Sequence, residues 1–169
     1  MDYSRLVSLY EALEKEPGRL KKTGLLAQLL ADTPEKLLPD VTLLAQGSAL
    51  PPWDQREIGI AEQSVRKIVA QVSGSSTEKI STHFSKLGDY GTVIEQLARS
   101  QRTLSSRRLT VEKVVENLRA AADVSGPGSQ ERKAKLVAEL LAAAKPAEAK
   151  YVIRTVLGQL RTGDRKSVV

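Results

Sequence analysis

The chain has 169 residues, 26 Lys and Arg against 20 Asp and Glu for a formal charge of +6, no cysteine, and one histidine, His83. That length supports one sizeable domain with its own core; the cysteine count excludes disulfides and thiol chemistry, and a single histidine argues against a His-based zinc site or a Ser/His/Asp triad. The basic balance favours an anionic partner, while one Trp, one Phe and four Tyr are too few for a single-strand stacking platform, leaving backbone phosphates as the natural target. No run of about 18 apolar residues occurs, and Met1-Asp-Tyr-Ser-Arg lacks the regions of a signal peptide, so a soluble, intracellular protein is expected.

Helical periodicity runs through the chain. Leu6, Leu9, Tyr10 and Leu13 share one face, and after Pro17-Gly18 the pattern returns at Leu25, Leu26, Leu29 and Leu30. Thr33-Pro34 reads as a helix start, Pro39 restarts or kinks that segment, and Gly47 ends it. Residues 48–57 form a loop in which Trp53 is expected to anchor on the core. A helix follows from about Ile60 to Val72, with Gly74 at its end. Ser75-x-x-Glu78 reads as a capping box for a helix carrying Ile80, Phe84 and Leu87, with His83 partly exposed, and Gly88 terminates it.

Asp89 is expected to cap the next helix, with Val93, Ile94 and Leu97 inward. Residues 99–110 are rich in Arg and Ser and read as an exposed loop, after which Thr110 caps a helix bearing Val111, Val114, Val115 and Leu118. Val124 to Gly128 forms a turn and Ser129 stands where an N-cap belongs, before Leu136, Val137, Leu140 and Leu141. Pro146 opens a last helix with Ala149, Val152, Ile153, Val156, Leu157 and Leu160 inward. No stretch alternates as a strand does, so the fold class is all-α.

The charge excess has an address. Between Gly128 and Lys166 stand nine Lys and Arg and four acids, a balance of +5 out of +6. Lys150, Arg154, Gly158 and Arg161 fall at i, i+4, i+8 and i+11, a stripe expected opposite the apolar face of the last helix. A basic stripe is also what an ordinary solvated helix face looks like. Gly158 within it favours contact with phosphate, because a mid-helix glycine costs about 1 kcal/mol relative to alanine and lets a backbone approach. Ser129, the helix start beneath it and Lys133 one turn in could hold a second phosphate, with Gly126 and Gly128 opening the turn; an ordinary cap is the plainer alternative. Neither a metal site nor a catalytic set is discernible, nor is the Gly-x-x-x-x-Gly-Lys-Ser/Thr phosphate loop, so no cofactor is expected.

A repeat is discernible. Leu25-Leu-Ala-Gln-Leu-Leu30 aligns with Leu136-Val-Ala-Glu-Leu-Leu141 at an offset of 111, pairing Gly18 with Ser129 and Lys22 with Lys133. Glu57-Ile-Gly59 pairs with Arg161-Thr-Gly163 at an offset of 104. Leu/Ala-rich helices also align by chance. A true repeat implies two halves related by a pseudo-twofold axis, about 1–74 and 110–169, linked by helices in 75–109 within a single domain.

Five segments in order, Leu50-Pro-Pro-Trp, Glu57-Ile-Gly-Ile-Ala-Glu, Leu87-Gly-Asp-Tyr-Gly-Thr-Val, Gly128-Ser-Gln-Glu-Arg-Lys and Glu148-Ala-Lys-Tyr-Val-Ile-Arg with Leu160-Arg-Thr-Gly, resemble the N-terminal DNA-binding domain of ATP-dependent DNA ligases of the archaeal and eukaryotic replicative type. The resemblance implies an all-helical domain that holds nicked duplex along the minor groove through phosphates, without sequence preference, in replication, repair and recombination. It implies DNA contact at Gly128, Ser129, Lys133, Arg154 and Gly158 to Gly163 with Arg161, and in the first half at Gly18, Arg19, Lys22 and Gly59. Lys150 joins them through the stripe.

Family ligases are adenylated on the lysine of Lys-x-Asp-Gly, which this sequence lacks, so the chain is not expected to be an enzyme by itself. Thr162 and Asp164 to Lys166 depart from the family pattern, and a further hairpin is expected to be missing. The expected partners are double-stranded, especially nicked, DNA and a separate ligase catalytic domain or sliding clamp. The chain is expected to be a cytoplasmic, nucleoid-associated monomer that contacts no membrane. The competing expectation is a helical scaffold docking an acidic partner of the repair machinery, with RNA binding a weaker third.

Overall fold

The computed structural model describes residues 1–100 and 108–160. Among them the chain forms α1 (Tyr3–Lys15), α2 (Arg19–Ala31), a 3-10 turn (Glu35–Leu37), α3 (Leu38–Ala45), α4 (Glu62–Val72), α5 (Thr77–Leu87), α6 (Tyr90–Ser100), α7 (Val111–Asp123), α8 (Ser129–Ala143) and α9 (Pro146–Val156). The class is all-α, as expected. The extended pairing among the described residues is one isolated antiparallel bridge, Asp2 with Thr110.

Helix α9 is the centre of the packing. Eight of its eleven residues are buried, Glu148, Ala149 and Tyr151 to Val156, so it is enclosed on nearly every side rather than amphipathic. It lies along α6 and also touches α8 and α1. Gly91 of α6 is where the two helices cross: a Cβ there would sit 2.7 Å from the Lys150 carbonyl oxygen and 2.9 Å from Arg154 Cγ. Only a residue without a side chain permits that approach. From α1, the Tyr10 ring meets the Tyr151 ring at 4.8 Å and its hydroxyl donates to the Leu44 carbonyl at 2.6 Å, joining α1, α3 and α9.

The outlying element is α2. Leu29 is buried and Leu25, Leu26 and Leu30 are packed at the edge of the core, but the helix start stands away from it, with Leu20 88% exposed.

The helix ends follow the sequence with small displacements, and Pro34 rather than Thr33 stands at the cap of the 3-10 turn. Thr110 caps α7 by accepting the Lys113 N–H, and the Asp89 carboxylate accepts N–H groups of Gly91 and Thr92 at the start of α6, both as expected. The cap of α5 is Ser76, accepting from Lys79 N–H at 3.2 Å, not Ser75. Ser75 is occupied in closing α4, its N–H donating to the Ala70 carbonyl. Likewise Gly128, with φ 73°, is the N-cap of α8, and Ser129 is the first helical residue. The helix of about Ile60 to Val72 begins at Glu62.

Candidate nucleic-acid interface

The structure joins two segments that the sequence holds far apart. Lys133 is one turn into α8 on the face of Val137 and Leu140, and it is 8% exposed. Its ammonium donates to the Ile58 carbonyl at 2.7 Å, and a Cβ on Gly59 would meet Nζ at 3.3 Å. Gln130 Nε2 donates to the Gly59 carbonyl at 2.9 Å, while Ser64 of α4 donates to Gln130 Oε1 at 3.4 Å. The first turns of α4 and α8 therefore lie side by side.

Gly59 at φ 58°, Gly126 at 79° and Gly128 at 73° border this place, and all three are exposed. A helix start directs backbone N–H groups and the positive end of its dipole outward. Here Ser64 N–H is bonded to the Ala61 carbonyl and Ser129 N–H to the Gly126 carbonyl, and each first turn carries an exposed glutamate, Glu62 and Glu131. Lys133 acts here by fastening the 58–59 segment to α8 and lending its charge from beneath.

The basic stripe on α9 is corrected. Arg154 is 6% exposed and does not face solvent. Its Nε and Nη2 donate to Asp89 Oδ2 at 3.0 and 2.7 Å, and its Nη1 pairs with Glu14. Burial would push the Asp89 carboxyl up, but hydrogen bonds from Arg154 and Thr92 outweigh it and hold the group below the usual carboxylate range. Lys150 pairs with Glu14 at 3.4 Å and Glu95 at 3.8 Å. The physical reason is that α9 is covered on its charged side too, by carboxylates from α1 and α6.

Gly158 is corrected in the same way. It follows α9 rather than interrupting it, at φ 64°, with its N–H on the Thr155 carbonyl and the Gln159 N–H on the Arg154 carbonyl. That is a Schellman closure, in which glycine tolerates the left-handed conformation. It remains exposed at the end of the helix. Arg161 and Gly163, with Thr162 and Asp164 to Lys166, lie outside the described residues.

In the first half, Gly18 caps α2, and its N–H donates to Glu16 Oε1 at 2.7 Å. Arg19 is exposed and Lys22 half-buried. Since α2 packs on α1 and α3, this start is a cationic surface separate from the α8 start.

The loop reading is corrected at Trp53, which is 83% exposed instead of anchored in the core. The anchors are Arg119, whose Nε donates to the Ala49 carbonyl at 3.0 Å and Nη2 to Asp40 at 2.7 Å, and the buried Leu50. Ile58, Ser64 and Gln130 were not among the expected site residues. A readable signal did exist for Lys133: with Val137, Leu140 and Leu141 it falls at i, i+4, i+7 and i+8, on the buried face.

Fold and site together define an all-helical module whose distinguishing feature is a set of glycine-bordered helix starts. No helix among the described residues is long and apolar enough to cross a membrane. The sequence matches the family described as DNA ligase N terminus over residues 2–169, and the chain belongs to that family. A DNA ligase of Methanopyrus kandleri is 40% identical over 172 aligned positions, covering 100% of this chain and 31% of the relative. A DNA ligase of Methanothermobacter thermautotrophicus is 38% identical over 169 positions, covering 99% and 30%. One of Thermococcus onnurineus is 36% identical over 171 positions, covering 100% and 30%. The chain thus spans less than a third of the length of these relatives and corresponds to their N-terminal domain rather than their catalytic part.

Proposed function

We propose that residues 1–169 form a single, monomeric domain that binds duplex DNA without sequence preference, above all at nicks, as the DNA-binding module of an ATP-dependent DNA ligase. The observation that carries this reading is the union of the Gly59 segment with the α8 start through Lys133 and Gln130. Backbone N–H groups at adjacent helix starts suit phosphates, which are alike in every sequence. The exposed cations at the α2 start, Arg19 and Lys21, supply a second surface for the same backbone. Minor-groove approach, action beside a ligase catalytic domain or sliding clamp, and a cytoplasmic, nucleoid-associated location belong to the same proposal.

The two-halves relation is part of it as well. In the bridge joining the starts of α1 and α7, Tyr3 N–H donates to the Leu109 carbonyl and Val111 N–H to the Met1 carbonyl, both at 2.9 Å. An antiparallel exchange is twofold by its own geometry; what bears on the two halves is that it joins the starts of two helices at an offset of 108, between the 104 and 111 of the sequence repeat. Both α1 and α7 contain 13 residues. This supports a pseudo-twofold domain gripping a duplex that has the same approximate symmetry.

The test is a titration of nicked, intact and single-stranded DNA at several salt concentrations, read by anisotropy of a labelled strand. Log affinity for duplex should fall linearly with log salt. Ser129→Asp places an acid in the first turn of α8, where the helix dipole tolerates it and a phosphate would not. Affinity should drop at least about tenfold with the melting temperature unchanged or raised. Unchanged affinity removes the α8 start from the interface, and negligible duplex affinity at near-physiological salt leaves the acidic-partner scaffold as the reading.

A further inference from the structure

Trp53 is the chain's one tryptophan and is 83% exposed, although burial would gain more there than at almost any other side chain. The exposure does not come from a loose loop. Asp54 N–H donates to the Pro51 carbonyl at 3.0 Å, closing a β-turn with Pro52 and Trp53 at its centre. Upstream, Ser48 Oγ donates to the Leu50 carbonyl at 2.8 Å and accepts the Leu50 N–H at 3.0 Å, and Arg119 holds Ala49. Downstream, Arg56 Nε donates to Asp54 Oδ1 at 3.0 Å and its Nη1 clasps Asp123. The ring is held out on a fastened support.

The support borders the helix starts described above. The same loop continues into Ile58 and Gly59, which Lys133 and Gln130 hold against α8. Asp123 ends α7, from which residues 124–128 lead into α8. Arg56 engages both Asp54 and Asp123, which leaves this cluster one net negative charge, so what the turn can offer a duplex is the flat apolar face of the ring and not a cation. Such a face matches deoxyribose and base edges, which lie between the phosphates of a groove.

We infer that Trp53 is an apolar contact of this domain with duplex DNA, laid against sugar and base edges of the minor groove beside the phosphates held at the α4 and α8 starts. This rests on the duplex-binding reading above. It divides the labour within the interface: helix starts and cations set the salt dependence, and Trp53 adds affinity that salt does not screen.

Being the one tryptophan, Trp53 reports on itself. The intact chain is titrated with a fluorescein-labelled nicked duplex followed by anisotropy, and in parallel with the unlabelled duplex followed by tryptophan emission. Emission should be quenched and shifted to shorter wavelength along the same isotherm. Trp53→Ala should weaken binding about tenfold without changing the slope of log affinity against log salt. Trp53→Phe should restore most of the loss. Far-UV circular dichroism of both variants should match that of the parent chain, since the ring makes no core contact. Anisotropy showing binding while emission stays constant overturns the contact and leaves the duplex-binding reading standing. A loss of affinity in Trp53→Ala without any emission change in the parent chain also overturns it. Absence of duplex binding by the parent chain defeats the reading and the inference together.

Discussion

Arg154→Met separates a structural arginine from a phosphate ligand. Methionine keeps most of the length and apolar stem but removes the guanidinium that holds Asp89 and Glu14. The Arg154 and Asp89 side chains are 8% and 3% exposed, while Glu14 is 24% exposed. Removing one partner of a buried pair costs about 3–5 kcal/mol, because the other charge is left behind. Glu14 can turn to water. Asp89 keeps bonds from the Gly91 and Thr92 N–H groups and the Thr92 hydroxyl. The lower end, about 3 kcal/mol, is therefore expected, a fall in melting temperature of about 10 °C for a domain of this size.

The pH dependence supplies the sign. In the parent chain Asp89 is held below its unfolded value, so its contribution is present above about pH 4 and is lost as pH falls through the folded value. Without Arg154, burial dominates and pushes the carboxyl up, so protonation relieves the variant. The deficit should be largest at neutral pH and shrink as the pH is lowered toward 4, and Asp89→Asn in the Arg154→Met background should recover part of it. Thermal melts followed by far-UV circular dichroism at neutral and acidic pH measure both. A variant that melts within about 2 °C of the parent chain but loses DNA affinity would refute the reasoning and return Arg154 to the interface.

Gly91→Ala forces a Cβ against the Lys150 carbonyl and should destabilise by about 1–3 kcal/mol, read as a lower urea midpoint. Gly24→Ala is the control: the position is helical with nothing within 4 Å of a new Cβ, so stability should rise by up to about 1 kcal/mol. Gly158→Ala should cost about 1–2 kcal/mol from the left-handed φ alone, without altering binding unless that turn touches DNA. Glu148 is buried, which pushes its carboxyl up despite the N–H it accepts from Lys145 at 2.7 Å. A raised folded value means native stability improves as pH falls through it, so Glu148→Gln, which keeps that acceptor, should stabilise at neutral pH and lose its advantage in acid melts.

The apolar stripes, the caps at Asp89 and Thr110, and the proline opening α9 were legible because each depends on residues within one or two turns of each other. The segment Leu87-Gly-Asp-Tyr-Gly acquires a structural reason for every letter but the first. Gly88 closes α5 at φ 66°, Asp89 caps α6 and receives Arg154, Tyr90 stacks on Phe84 at 4.1 Å, and Gly91 admits α9. What stayed hidden was which cations are exposed. Spacing shows that Lys150 and Arg154 share a face, but that face is buried by carboxylates 65 and 140 residues away. Lys133 carried the opposite signal, since its spacing put it with Val137 and Leu140. A cation at an apolar-spaced position calls for a buried acceptor, and here that acceptor is the Ile58 carbonyl. The charge excess between Gly128 and Lys166 therefore overstates what that segment can offer a phosphate. At least two of its cations, Lys133 and Arg154, are committed inside the protein, which in the proposed reading leaves the contact to backbone N–H groups at the start of α8.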